Sequence, residues 1–446
     1  MIESVLVANR GEIARRVIRT ARRMGIRAIA VYSEADSSLP YVREADEAVP
    51  IGAAPAASSY LDVRAVLGAA RRTGAAAIHP GYGFLAENAE FAAEVTDAGL
   101  TWVGPPPAVI EQVGDKINAR NFMERAGVPV AAGSREPVTD VTAAIAEAGR
   151  IGYPVMIKAA AGGGGIGMSV AVNEAELRAG FETARSRAER FFGNAAILLE
   201  RFIEQARHVE VQILGLNDGR VLAFGERDCS VQRRHQKVAE ETPSPGVTPG
   251  LRARMLAAAI RAGEAVGYRG AGTVECLVDA KTQDFVFLEM NARIQVEHPI
   301  TEMVTGIDLV EQQLLIAGGG DVSFSPPSVW SAGHAVELRV YAEDPRRFLP
   351  SPGVITEWAE PSGPGIRVDA GYTAGNEVTP FYDPLLAKLC VHGDSRAEAL
   401  RRARAAVDEF RIRGPKTNLP FHAELLDSDE FSSGRYDTSV VARLRP

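Results

Sequence analysis

Apolar positions in the first part of the chain fall into short runs separated by a helical period. ESVLVA (3–8) reads as a buried strand, and in GEIARRVIRTARRMG (11–25) the residues Ile13, Val17, Ile18 and Ala21 share one helical face. IRAIAVY (26–32) follows as a second strand and completes a βαβ start. AAAIHPGYG (75–83) and LTWVG (100–104) extend it into an open parallel sheet reaching to residue 113. Gly11 alone marks the turn after the first strand, too little for a dinucleotide fingerprint, so this region reads as scaffold with a ligand edge.

Further along, DKINARNFMERAG (115–127) predicts a helix stopped by glycine. Between 128 and 205 lie two helical stretches, the strands IGYPVMI (151–157) and AILLERFI (196–203), and the loop KAAAGGGGIGM (158–168). A small α/β unit with a glycine loop at its tip suits a lid. From 207 the pattern changes to successive strands: RHVEVQILG, VLAFGERDCSVQ, GTVECLVDA and DFVFLEMNAR. The stretch PPSVWSAG (326–333) reads as a boundary. After it, HAVELRVYAED (334–344) opens a last region of strands and one Arg/Ala-rich helix, SRAEALRRARAAVDEF (395–410).

Length and composition narrow the class. At the usual ~150 residues per domain, 446 residues allow about three. No apolar run approaches the roughly 20 residues that span a bilayer, and MIESVLVANRGEIARR lacks the layout of a secretory signal, so a cytoplasmic protein without a membrane partner is expected. A formal net charge of −8 argues against nucleic acid as the main partner. Cys229, Cys276 and Cys390 are too few and too scattered for a disulfide framework or a CxxC metal site. Of 49 basic residues only six are lysines, at 116, 158, 237, 281, 388 and 416. In a chain that otherwise uses arginine, a retained lysine suggests a need for a compact point charge.

Three segments carry candidate chemistry. Four consecutive glycines after Lys158 form either a phosphate-cradling loop or a flexible linker; neither the GxxxxGK[ST] order nor a helix-opening GxGxxG is present. In FVFLEMNARIQVEHP (285–299) strand alternation is expected to place Glu289, Asn291 and Arg293 on one face, and Glu275 interrupts the apolar strand TVECLV (273–278). Carboxylates and an amide oxygen on neighbouring strands suggest hard ligands for Mg²⁺ or Mn²⁺, with a structural Glu–Arg pair as the alternative. In ERDCSVQRRHQKVAEETPSP (226–245) a strand is expected to run out into a polar segment, where Gln232, His235 and Lys237 are site candidates and Cys229 a packed neighbour.

Together with VANRGEIARR and HAVELRVYAEDP, these segments resemble the biotin carboxylase component of biotin-dependent acyl-CoA carboxylases, an ATP-grasp family, from residue 2 to about 440. The resemblance implies an N-terminal open parallel-sheet (Rossmann-like) domain over 1–114, an ATP-grasp domain over 115–330 with a mobile glycine-loop lid at about 131–203, and a C-terminal α+β domain over 331–446. It implies carboxylation of biotin by bicarbonate through carboxyphosphate at the expense of ATP. Lys116, Lys158, His208, Gln232 and His235 match nucleotide contacts, and Glu200, Arg201 and Ile203 the adenine edge. Gly162, Gly163, Gly164, Gly165, Gly167 and Met168 match the lid over the phosphates. Glu275 and Glu289 match metal ligands, with Asn291 beside them. Lys237, Arg293, Gln295 and Val296 match the bicarbonate pocket, Glu297 the base that removes its proton, and Arg339 the group that stabilises the biotin enolate.

The implied partners are a second copy in a homodimer, a biotin carboxyl carrier protein or domain, and a carboxyltransferase subunit. Biotin is expected in trans, because no lysine here has a flanking methionine. One departure is Ile166, where the family often carries Arg or Lys; backbone phosphate binding survives that change. The alternative within the superfamily is another carboxylate-amine ligase or a carbamoyl-phosphate-type synthetase. A nucleotide-binding regulatory subunit without turnover is the alternative from another class.

Overall fold

The computed structural model describes residues 2–159, 168–324 and 331–445, with the side chains at 116, 117, 191 and 192 excepted. Its N-terminal sheet has five parallel strands in the order Glu47–Gly52, Arg27–Ser33, Ser4–Val7, Ala77–His79, Thr101–Trp102. The strands lie inside, or one residue beyond, the apolar runs that predict them, apart from Glu47–Gly52. That edge strand escapes the pattern because Pro50 interrupts a short run, which an edge position tolerates. Helix Gly11–Arg23 buries Ile13, Ala14, Val17, Ile18 and Ala21.

Strands Ser169–Ala171, Val155–Ala159 and Ile197–Arg201 form a separate antiparallel sheet with its own core, packed by helices Val141–Ile151 and Glu174–Phe192. Lys158 lies near the end of its central strand, and residues 160–167, which include Ile166 and the five lid glycines, lie outside the described residues.

Most of the remaining strands form an eight-stranded antiparallel sheet, in the order Phe285–Asn291, Gly270–Asp279, Ala206–Gly215, Val221–Arg233, Gln236–Thr242, His334–Tyr341, Leu385–Gly393, Ile366–Ala370. The Pro/Ser/Gly stretch does not break this sheet: Glu240 pairs with Glu337 and Ala239 with Leu338 across it. Two expectations are corrected. The polar segment after Gln232 is no loose extension but a hairpin, turning at Arg234 and His235 with φ of 47° and 70°. Arg293 does not share the alternation of Glu289 and Asn291, because the strand ends at Asn291 and an irregular segment leads to helix His298–Thr305.

Candidate active site

A polar row crosses four neighbouring strands of the large sheet. Glu289 lies in register with Glu275, Glu275 with Glu210, and Glu210 with Arg227. Paired residues of antiparallel strands share a face, so this row runs from the edge of a cleft of about 1870 Å³ into the core. Exposure falls along it, Glu289 being partly buried, Glu275 4% exposed, and Glu210 and Arg227 wholly buried. Arg227 donates through Nε to Glu210 Oε1 at 2.6 Å and through Nη1 to Gln212 and Thr301. Glu210 and Arg227 were not among the expected site residues. Their signal was present: His208, Glu210 and Gln212 occupy alternate positions of an apolar strand.

Lys237, on the second arm of the hairpin, stands where three carboxylates meet. Its Nζ donates to Glu210 Oε2 at 2.6 Å, Glu275 Oε1 at 2.9 Å and Glu297 Oε1 at 2.8 Å. The other oxygen of Glu297 lies 2.9 Å from Arg339 Nη2, which also contacts Glu240 Oε1 at 2.6 Å. Glu297 is wholly buried and therefore needs these cations. Burial alone pushes its carboxyl upward, but Lys237, Arg339 and Arg227 outweigh it and hold the group well below the usual carboxylate range. Glu240, with fewer cations near it, is pushed up to about 7 by burial, against the pull of Arg339.

The other expected residues divide by position. His208 Nε2 lies 2.7 Å from Glu275 Oε2, and its Nδ1 lies 2.7 Å from Gln232 Nε2. Burial lowers the imidazole's proton affinity, but Glu275 outweighs it and raises it. Arg293 joins Gln295, Asn291 and, from the N-terminal sheet region, Glu87 at 2.8, 3.0 and 3.0 Å. Val296 lines the cleft beside them. On the lid side, Lys158 pairs with Glu200 at 2.5 Å, while Met168, Arg201 and Ile203 line the same cleft. His235 is exposed at the hairpin tip and lines the cleft. Lys116 opens helix Lys116–Arg125, capped by Asp115 through the amide of Asn118; its side chain lies outside the described residues, as do Gly162, Gly163, Gly164, Gly165 and Gly167.

Glu275, Glu289 and Asn291 offer hard oxygen donors on adjacent strands, a set whose chemistry fits a small divalent cation. Glu275 Oε1 accepts from Lys237, Asn291 and Gln295, and Oε2 approaches His208, so a cation bound there replaces at least one of these donors.

Comparison with known proteins agrees with this geometry. Residues 1–110 match the family "Biotin carboxylase, N-terminal domain", 115–324 "Carbamoyl-phosphate synthase L chain, ATP binding domain" and 337–443 "Biotin carboxylase C-terminal domain". The chain is 49% identical to the biotin carboxylase of Halalkalibacterium halodurans over 441 residues, covering 99% of this chain and 97% of that one. It is 48% identical over 441 residues to biotin carboxylase 2 of Bacillus subtilis, covering 99% of each. Among solved structures, the biotin carboxylase–beta-gamma-ATP complex from Campylobacter jejuni superposes with a TM-score of 0.96 at 44% identity over 99% of both chains. The biotin carboxylase domain dimer of Hydrogenobacter thermophilus 2-oxoglutarate carboxylase, solved with MgADP, ADP and bicarbonate, gives 0.95 at 44% identity, covering 99% of this chain and 98% of that one. The middle match alone would leave a carbamoyl-phosphate-type synthetase open; the flanking matches and the full-length relatives do not, and the chain belongs to the biotin carboxylase family.

Proposed function

We propose that this chain carboxylates carrier-borne biotin with bicarbonate and ATP through carboxyphosphate. The observation that carries the reading is the bridged carboxylate of Glu297, one oxygen on Lys237 and the other on Arg339. Two cations that line the cleft converge on a buried anion behind them, a site where an entering anion would find both charge and a base.

Lys237, Arg293, Gln295 and Val296 would hold bicarbonate, and Glu297 would take its proton as a bicarbonate oxygen attacks the terminal phosphorus of ATP. ADP leaves and carboxyphosphate forms. Its breakdown gives phosphate and CO₂; the ureido N–H of biotin would give its proton to that phosphate, and the nitrogen of the enolate so formed, stabilised by Arg339, would attack the carbon of CO₂. A guanidinium suits that role because it keeps its own proton. Lys116, Lys158, His208, Gln232 and His235 are assigned to the nucleotide, Glu200, Arg201 and Ile203 to its adenine edge, and Gly162–Gly165, Gly167 and Met168 to the lid. Glu275 and Glu289, with Asn291 beside them, would hold Mg²⁺ or Mn²⁺, which neutralises phosphate charge when bound.

We infer a division into 1–114, 115–330 with a lid at about 131–203, and 331–446; family matches over 1–110, 115–324 and 337–443 support three parts in that order. A propionyl-CoA carboxylase alpha chain from Ruegeria pomeroyi and a solved biotin carboxylase component of pyruvate carboxylase, both similar to this chain, support a carrier and a carboxyltransferase as partners. The Hydrogenobacter domain dimer supports a homodimer. Among the described residues no helix is long and apolar enough to cross a membrane, and we place the protein in the cytoplasm. The test is phosphate release and acid-labile carboxylation of free biotin, each measured with and without bicarbonate. Phosphate release that ignores bicarbonate, with no carboxybiotin, would sink the assignment.

A further inference from the structure

Lys388, one of the six lysines, is wholly buried in the middle of strand Leu385–Gly393, between Arg339 and Asp369 on the neighbouring strands. An ammonium group taken fully out of water is costly unless its donors are used. One partner is Glu12, also buried, in the first turn of helix Gly11–Arg23, at 3.0 Å from Nζ. That contact alone would make Lys388 a stitch between the N-terminal helix and the large sheet. Its Nζ also donates to the backbone carbonyl of Val296 at 2.8 Å.

This second contact reaches the irregular segment that carries Gln295, Val296 and Glu297 between strand Phe285–Asn291 and helix His298–Thr305. The side chains of Gln295 and Glu297 are tied to Arg293, Glu275, Lys237 and Arg339, but few close bonds reach the backbone of the segment. The amides of His298 and Ile300 reach back to Gln295 and Glu297 only at 3.4 Å, while His298 Nδ1 approaches the Gln295 carbonyl at 2.8 Å. The bond from Lys388 is as short, and it holds the residue that lies between Gln295, which lines the cleft, and the buried Glu297. Glu12 meanwhile accepts a hydrogen bond from Tyr82, a residue of the cleft wall.

We propose that Lys388 is a positioning residue for the bicarbonate pocket: it fixes the Val296 carbonyl, and through it the base Glu297, against the Glu12–Tyr82 side of the cleft. The inference rests on the functional reading above and adds to it a residue that touches neither substrate. Because its effect passes through the 295–297 backbone, it bears on bicarbonate and leaves the nucleotide contacts of the lid side alone.

The test compares Lys388→Met, the double variant Lys388→Met/Glu12→Gln, and Lys388→Arg with the wild type in the full chain. Lys388→Met strands the Glu12 carboxylate, so it should melt earlier; the double variant removes that stranded charge and should regain much of the loss. Positioning predicts that kcat/KM for bicarbonate stays down roughly tenfold or more in both, the scale of a lost charge-assisted hydrogen bond, with KM for ATP within about twofold. Recovery of bicarbonate kinetics together with melting temperature would reduce Lys388 to a structural stitch and overturn the inference. If the neutral variants do not fold, Lys388→Arg keeps the charge beside Glu12 but sets a planar, larger head against Val296, and it must show the same bicarbonate-specific defect. Hydrogen exchange of the amides at 294–298 supplies a readout independent of turnover: it should quicken in the variants, and unchanged exchange rejects the positioning role. A wild type without bicarbonate-dependent phosphate release would reject the functional reading instead, and the exchange result would stand apart from it.

Discussion

Glu240→Gln should make the protein more stable at alkaline pH and change little in acid. Glu240 is buried at 1% exposure, in register with the equally buried Glu337, and its cationic contact, Arg339, is shared with Glu297. Burial therefore outweighs Arg339 and pushes the carboxyl from 4.5 up to about 7. Below pH 4.5 the group is protonated in both folded and unfolded chains and contributes nothing to the pH dependence. Between 4.5 and 7 the folded chain holds a proton that the unfolded chain has released, so stability falls as pH rises, and above 7 the cost is complete. At 1.36 kcal/mol per pH unit the span corresponds to at most about 3 kcal/mol. Glutamine cannot ionise and approximates the protonated side chain, so the variant escapes this cost. Urea denaturation of both proteins at about pH 5 and about pH 8.5 should show a difference that grows by about 2–3 kcal/mol across the interval. An equal difference at both pH values, or one that shrinks toward alkaline pH, would mean that Glu240 is ionised throughout and that Arg339 neutralises two carboxylates at once.

Glu297→Gln keeps size and hydrogen bonding but cannot accept a proton, so bicarbonate-dependent ATP cleavage and biotin carboxylation should fall together, by the ~10²–10⁴-fold typical of a lost general base. Arg339→Ala should spare more of the ATP cleavage and appear mainly as less carboxybiotin per phosphate released; identical losses of both activities in the two variants would refute this division of labour. Glu289→Gln, at the cleft end of the polar row, should raise the Mg²⁺ concentration needed for half-maximal ATP cleavage, read in a metal titration at fixed nucleotide, and an unchanged midpoint would remove Glu289 from the ligand set. If biotin is supplied by a separate carrier, as proposed, protein from a host with active biotin ligase should show no biotin adduct by mass spectrometry, and stoichiometric modification would refute it.

Much of the site was legible because it follows strand alternation. Glu275, Glu289 and Asn291 announce themselves as polar residues at alternate places in apolar strands, and His208, Glu210 and Gln212 obey the same rule. The hairpin at Arg234–His235 was hidden because its turn adopts positive φ without the glycine or asparagine that usually signals one. Arg293 reaches the same cleft as Glu289 and Asn291, but not by alternation, which was carried past the end of its strand; no local feature of NARIQ marks that end. Contacts between distant segments leave no local trace at all. Glu12 with Lys388, Glu87 with Arg293, and Glu240 with Arg339 each join different regions of the fold, and only the sheet order and the docking of the N-terminal helix bring them together.

Holding Glu297 well below the usual carboxylate range looks unsuited to a general base, whose proton affinity should approach the working pH. The depression has named sources, chiefly Lys237 and Arg339, and both are groups that an anionic substrate would engage. In the substrate-free arrangement these cations neutralise Glu297 and keep it ionised, so the base needs no deprotonation before it acts. If bicarbonate takes up their charge as proposed, Glu297 would be left buried beside another anion, and burial, the largest influence that raises its proton affinity, would be less opposed. Its basicity would then rise at the moment a proton is presented to it. The same exchange would make the proton transfer depend on the occupancy of the pocket and so couple ATP cleavage to bicarbonate. A Lys237→Met variant should therefore do more than weaken bicarbonate binding. With one of the two cations that contact it gone, Glu297 should hold a proton at higher pH in the free enzyme, and the acid limb of the kcat/KM profile for bicarbonate should move to higher pH. An acid limb that stays in place while KM rises would show that Lys237 binds the substrate without governing the base.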